Sequence, residues 1–163
     1  MKYEKDIILY IDDKIVVEII QCVKKATPNE ACGLIFGKIE ERKIPNRENE
    51  FSYHYNAYKF ECIESSHKNP VAFLMDDYER IFNISYSYAK NYNYQMFSIF
   101  HSHPGSAYPS GIDLPYIEGY YNSERTTFKH IIWTIMNAKS KELNGFIFIN
   151  KELYKVAVKV GEK

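Results

Sequence analysis

The chain has 163 residues, a length that fits a single domain with a substantial core, so one domain over 1–163 is expected. Its 21 basic and 21 acidic residues cancel, which speaks against nucleic acid or an anionic membrane as the main partner. Cys22, Cys32 and Cys62 are odd in number and lack C-x-x-C spacing; this argues against a disulfide framework or a cysteine-rich zinc site and for a reducing, cytoplasmic compartment.

The apolar run Ile7 to Ile11 is too short for a signal sequence or a membrane span, so a soluble protein is expected. A strand over Ile7 to Tyr10 precedes a helix capped by Asp12 or Asp13. In that helix Ile15, Val16, Ile19, Ile20 and Val23 form one stripe, and Pro28 ends it. "EACGLIFGKIE" reads as a buried strand that turns out at Gly37, with Glu30 at its entrance. "FSYHYNAY", Phe51 to Tyr58, is a further strand, followed by irregular chain up to Asp76. Asp76 and Glu79 form a capping-box pattern for a second helix, with Tyr78, Ile81, Phe82 and Ala89 on one face.

"QMFSIF" is a strand that delivers His101 at its carboxyl end, and a short helix follows Asp113. "HIIWTIMNA", "LNGFIFIN" and "ELYKVAVKV" supply three closing strands, the last two a hairpin around Asn150-Lys151. The order β-α-β-β-α-β-α-β-β-β predicts an α/β (α+β) fold, a mixed β-sheet flanked by helices.

On an extended chain residues i and i+2 point the same way, so His101 and His103 can present two imidazoles to one point while Ser102 faces away. Catalytic zinc takes three protein ligands and leaves a position for water, and Asp113, returned by the loop after Pro104, is the candidate third ligand. Ser110-x-x-Asp113 also reads as a helix cap, and one residue can serve both purposes. A metal hydrolase further needs a proton carrier; Glu30 offers an acid beside an apolar strand, with Glu61, Glu64 and Asp76 as rivals by residue type. Cys32 reads as a small buried residue, His54 as half-exposed on a strand, His67 as part of a polar loop and His130 as the opening of a strand.

The combination "NEACGLIFG", "HSHP" and "SGID" resembles the JAMM (MPN-plus) metallopeptidase family, whose signature is a distant Glu, then His-Ser/Thr-His-Pro, then Ser-x-x-Asp. The resemblance extends over nearly the whole chain and implies a JAMM/MPN domain with a cytidine-deaminase-like layout. It further implies one Zn²⁺ held by His101, His103 and Asp113 with water as fourth ligand, Glu30 as general base and then acid, and Ser110 as oxyanion stabiliser. The substrate so implied is the bond after the Gly-Gly tail of a ubiquitin-like or sulfur-carrier protein, a thin tail that strand addition can read. A homodimer is left open.

The chain departs from the family pattern in places. Pro104 to Pro109 is one residue shorter than the usual spacing, which Gly105 is expected to absorb. The stretch Asn56 to Met75 is longer than in compact relatives, so "KFECIESSHKN" is either a substrate-facing flap or an inert loop. No long second insertion follows Asp113, which suggests a minimal prokaryotic-type enzyme. Two other classes fit the residues less well. A non-catalytic scaffold of the same fold would lack the ligand residues, and a zinc deaminase would carry H-x-E and P-C-x-x-C, absent here.

Overall fold

Asp12 starts the first helix: its side chain accepts a hydrogen bond from the Ile15 N–H at 2.8 Å, and α1 runs Asp13–Ala26. The computed structural model describes residues 2–64, 78–124 and 128–161. Within them β1 (Lys2–Ile11), α1, β2 (Cys32–Lys43) and β3 (Phe51–Ile63) are followed by α2 (Tyr78–Tyr92), β4 (Gln95–His103) and α3 (Asp113–Asn122). Strands β5 (Ile132–Asn137), β6 (Leu143–Ile149) and β7 (Glu152–Val160) complete the order.

The seven strands form one mixed sheet in the order β1-β3-β2-β4-β5-β6-β7, closed by β7 pairing parallel to β1. Alternation along β2 divides the core in two. Ile35 joins the layer under α1, with Ile15, Ile19 and Val23; Leu34 and Phe36 join the layer under α2 and α3, with Ile81, Ile117 and Tyr120. The mixed α+β fold expected from the element order is therefore present. The β6–β7 turn also matches expectation, with Asn150 and Lys151 both at positive φ between paired Ile149 and Glu152.

Several expectations are corrected. Gly37 does not end β2: a register shift between Phe36 and Gly37 lets the strand continue to Lys43, while Lys59–Ile63 belong to β3 rather than to irregular chain. Of the proposed flap, only residues up to Glu64 are described; Asp76 and His67 lie outside the described residues. Phe82, 57% exposed, is not on the core face of α2, and Ala89 is exposed as well. Ile81 is buried, and Tyr88 stacks on Phe36 at 4.1 Å. His54 is buried rather than half-exposed, stacked on Tyr10 and bonded to the Ser52 hydroxyl, and His130 lies in the turn before β5.

The largest correction concerns the cysteines. Cys22 of α1 and Cys62 of β3 are joined in a disulfide, and Cys32 alone is free and buried. An odd count cannot exclude a pair that is 40 residues apart in sequence and brought together by packing of helix on strand. The bridge also removes the basis for expecting a reducing compartment. None of the described helices is long and apolar enough to cross a membrane.

Candidate metal centre

β4 is paired on both sides, with Cys32 opposite His101 on β2, and Ile135 and Asn137 opposite His101 and His103 on β5. Its carboxyl end is thus rigid, and the two-residue spacing sends both imidazoles toward Asp113, the first residue of α3. His101 Nε2 lies 3.4 Å from Asp113 Oδ1, and His103 Nε2 lies 3.2 Å from Oδ2. All three side chains are buried, and the candidate ligand atoms lie within 4.8 Å of one another.

Asp113 is held from behind. The Ser110 N–H donates to its Oδ2 at 2.6 Å, while the Ser110 hydroxyl oxygen accepts from the N–H groups of Ile112 and Asp113, each at 3.3 Å. This reciprocal pattern is that of a capping box, so "SGID" both starts α3 and orients the carboxylate. The shorter loop still brings Ser110 and Asp113 to the histidines. Gly105 takes no left-handed φ, so its expected freedom is not what closes the loop.

The electrostatics follow from burial and proximity. Burial lowers the His101 pKa, against the opposing pull of Asp113, so the ring is held neutral as a ligand must be. The hydrogen bond to Asp113 raises His103 despite its partial burial. Burial alone would raise Asp113, but the two imidazoles and the Ser110 N–H outweigh it and hold the carboxyl well below the usual carboxylate range. His101 Nδ1 is buried without a hydrogen-bond partner, and buried Nε2 has only the long 3.4 Å approach of Asp113 Oδ1, which does not make a well-formed hydrogen bond. A buried polar atom left so is costly, and a cation between the imidazoles and the carboxylate would satisfy Nε2. Two imidazoles and a carboxylate are a donor set that suits zinc, and the residues therefore fit a metal ion.

An open cleft of about 370 Å³ leads to this cluster, lined by Glu30, His103, Tyr108, Ser110 and Asp113 among others, with His101 buried beneath. Glu30 sits two residues before β2, half-buried. Burial raises its carboxyl pKa, His103 opposes, and Asp113 adds to the rise. Cys32 faces the core, its thiol donating to the Ile63 carbonyl. Of the rivals, Glu61 accepts from Tyr88 on the α2 side, and Glu64 is exposed at the end of β3.

Two contributors were not singled out from sequence. Ser102 does not merely face away: its hydroxyl accepts from the Ala31 N–H at 2.9 Å and its own N–H donates to the Ala31 carbonyl at 3.0 Å. The residue next to Glu30 is thereby clamped between the two histidines. Asn144, buried in β6, donates to the Ala107 carbonyl at 3.2 Å and pins the loop between His103 and Ser110. A polar residue inside the apolar run "LNGFIFIN" was the available signal for it.

A closed mixed sheet flanked by helices, with a buried His-x-His and Asp cluster at the end of a central strand, defines an MPN-type domain whose cluster resembles a JAMM metal site. The chain belongs to the family described as prokaryotic homologs of the JAB domain, which it matches over residues 12–145. Among solved structures it is similar to protein DSY2949 from Desulfitobacterium hafniense, with TM-score 0.65 and 21% identity over 96% of this chain and 94% of that one. It is also similar to AF2198, a JAB1/MPN domain protein from Archaeoglobus fulgidus, with TM-score 0.50 and 15% identity over 99% and 100% of the two chains. At these identities the likeness concerns the fold. No curated protein matches the sequence.

Proposed function

We propose that the protein is a zinc-dependent metallopeptidase or isopeptidase that hydrolyses the bond after the C-terminal Gly-Gly of a ubiquitin-like or sulfur-carrier protein. The observation that carries this reading is the buried His101, His103 and Asp113 cluster opening into a cleft that Glu30 also lines. His101, His103 and Asp113 would hold the ion. When bound, zinc supplies Lewis-acid polarisation of the scissile carbonyl and lowers the pKa of a coordinated water to about 7.

The remaining work falls to the chain's own groups. Glu30, its pKa raised by burial, is suited to take a proton from the attacking water and give it to the leaving nitrogen. Ser110 accepts two backbone N–H bonds at its oxygen, which leaves its hydroxyl proton to donate to a developing oxyanion. A Gly-Gly tail brings no side chain to the scissile bond, so its backbone can approach the cluster closely.

The reading is tested by elemental mass spectrometry on wild type and His103→Ala purified without added metal. About one equivalent of zinc is expected in the wild type and none in the variant. Glu30→Gln should keep the metal and lose about 10²- to 10⁴-fold in turnover of a Gly-Gly-tailed substrate. A wild type that takes up no zinc on reconstitution would put the non-catalytic scaffold reading in its place.

A further inference from the structure

Tyr108 stands on the wall of the metal cleft, 43% exposed, and is fixed through both its backbone and its ring. Its carbonyl accepts from the His103 ring, its N–H donates to the Ser106 hydroxyl oxygen at 3.1 Å, and Asn144 pins the carbonyl of the residue before it. The ring packs 5.7 Å from that of Phe146 on β6. Lys155 of β7 completes the hold: its Nζ donates to the Tyr108 hydroxyl oxygen at 3.2 Å and lies 4.9 Å from the ring centroid.

The ammonium so placed has no counterion. Lys155 is half-buried, and no carboxylate among the described residues forms an ion pair with it. A half-buried cation without an anion has given up water and gained no opposite charge in return, so its surroundings favour one. The Tyr108 oxygen accepts from Lys155, which leaves the phenolic proton to be donated. A cation and a hydroxyl donor therefore stand side by side at one wall. A carboxylate carries two acceptor oxygens on one carbon and can take one bond from each. The same cleft holds carboxyl groups at Asp113 and Glu30, so an anion is favoured at the Tyr108 wall and not beside them. Glu30 enters β2 whereas Lys155 stands on β7, and those strands are not neighbours in the sheet.

We propose that Tyr108 and Lys155 form a carboxylate-reading subsite of the cleft, which selects substrates that carry a carboxylate close to the scissile bond. The inference rests on the hydrolase reading above. In a peptide substrate that group is either an acidic side chain in the tail or the free α-carboxylate of the amino acid that leaves, and both meet the same two donors.

The test uses two pairs of blocked peptides in which Gly-Gly is joined to alanine. In the first pair the alanine ends in a free carboxylate or in a carboxamide; in the second it ends in a carboxamide and the residue before Gly-Gly is Glu or Gln. With zinc-loaded wild type, the carboxylate member of one pair should have the higher kcat/KM by about 10-fold, and the pair that shows it identifies the source of the carboxylate. Lys155→Met should bring that ratio to about one, Lys155→Arg should keep it, and Tyr108→Phe should reduce it. A second readout needs no turnover: in the metal-free protein the backbone amide signals of Tyr108 and Lys155 should shift at lower concentration of that carboxylate peptide than of its neutral partner. Ratios of about one in both pairs, or a ratio that Lys155→Met leaves unchanged, overturn the subsite and leave the hydrolase reading intact. Where no peptide is cut the hydrolase reading fails and the signals alone decide the subsite: earlier shifts with a carboxylate member uphold it, and equal or absent shifts overturn it.

Discussion

A single hydroxyl links the residue beside Glu30 to the two histidines. Ser102 sits between His101 and His103 and holds both backbone groups of Ala31, so the distance from Glu30 to the histidines depends on it. Removing the hydroxyl leaves the Ala31 N–H buried and unpaired, which costs about 1–3 kcal/mol. Ser102→Ala should therefore keep bound zinc, measured by elemental analysis, while kcat falls about 10- to 100-fold. Ser102→Thr retains the hydroxyl and should restore the rate; a threonine variant as slow as the alanine one would show that the bond to Ala31 does not position Glu30. The motif displayed this serine, but its task was hidden, because the partner Ala31 lies 71 residues away.

At the scale of elements, the sheet depends on close approach at β2 and on one covalent tie. A Cβ at Gly37 would overlap the Asn56 carbonyl oxygen of β3, at the point where the strand register shifts. Gly37→Ala should destabilise the fold by about 1–3 kcal/mol or more, read as a lower denaturation midpoint at unchanged slope. The disulfide joins α1 to β3 across a 40-residue separation. Cys22→Ser should lower stability by about 2–4 kcal/mol, and wild type in excess reductant should match it; a reductant-insensitive midpoint would show that the bridge is absent in solution. Element type was readable from periodicity: the α1 stripe, the buried run of β2 and the β6–β7 hairpin all appear where the pattern puts them. The core face of α2 was misread, because Phe82 and Ile81 are both apolar and adjacent, and only packing on Phe36 and its neighbours decides which is buried.

At the scale of the whole molecule, burial sets the response to alkali. Burial pushes the Cys32 thiol from 9.0 up to about 12, against the nearby Arg80, and pushes the Tyr55 hydroxyl from 10.0 up to about 12. With folded pKa values above the unfolded ones, the folded state binds more protons at high pH. The stability from these groups is therefore whole below about pH 9 and is lost as pH rises toward 12. Calorimetric Tm should fall between about pH 9 and 11, and Cys32→Ala should make the decline shallower; an equal slope in the variant would remove the thiol as a cause.

What the sequence by itself determined is the set of groups and their local order. Two histidines at strand spacing, a serine and an aspartate three apart at a helix start, and an acid before an apolar strand are local patterns. Short-range backbone geometry turns each into a direction, so the cluster was legible before any fold was known. Only the tertiary structure decided which distant segments meet. The closure of β7 onto β1, the Cys22–Cys62 pair and the clamp of Ser102 on Ala31 join residues far apart in the chain. No periodicity encodes such meetings; they follow from how two apolar faces of one sheet are buried at once, under α1 on one side and α2 and α3 on the other.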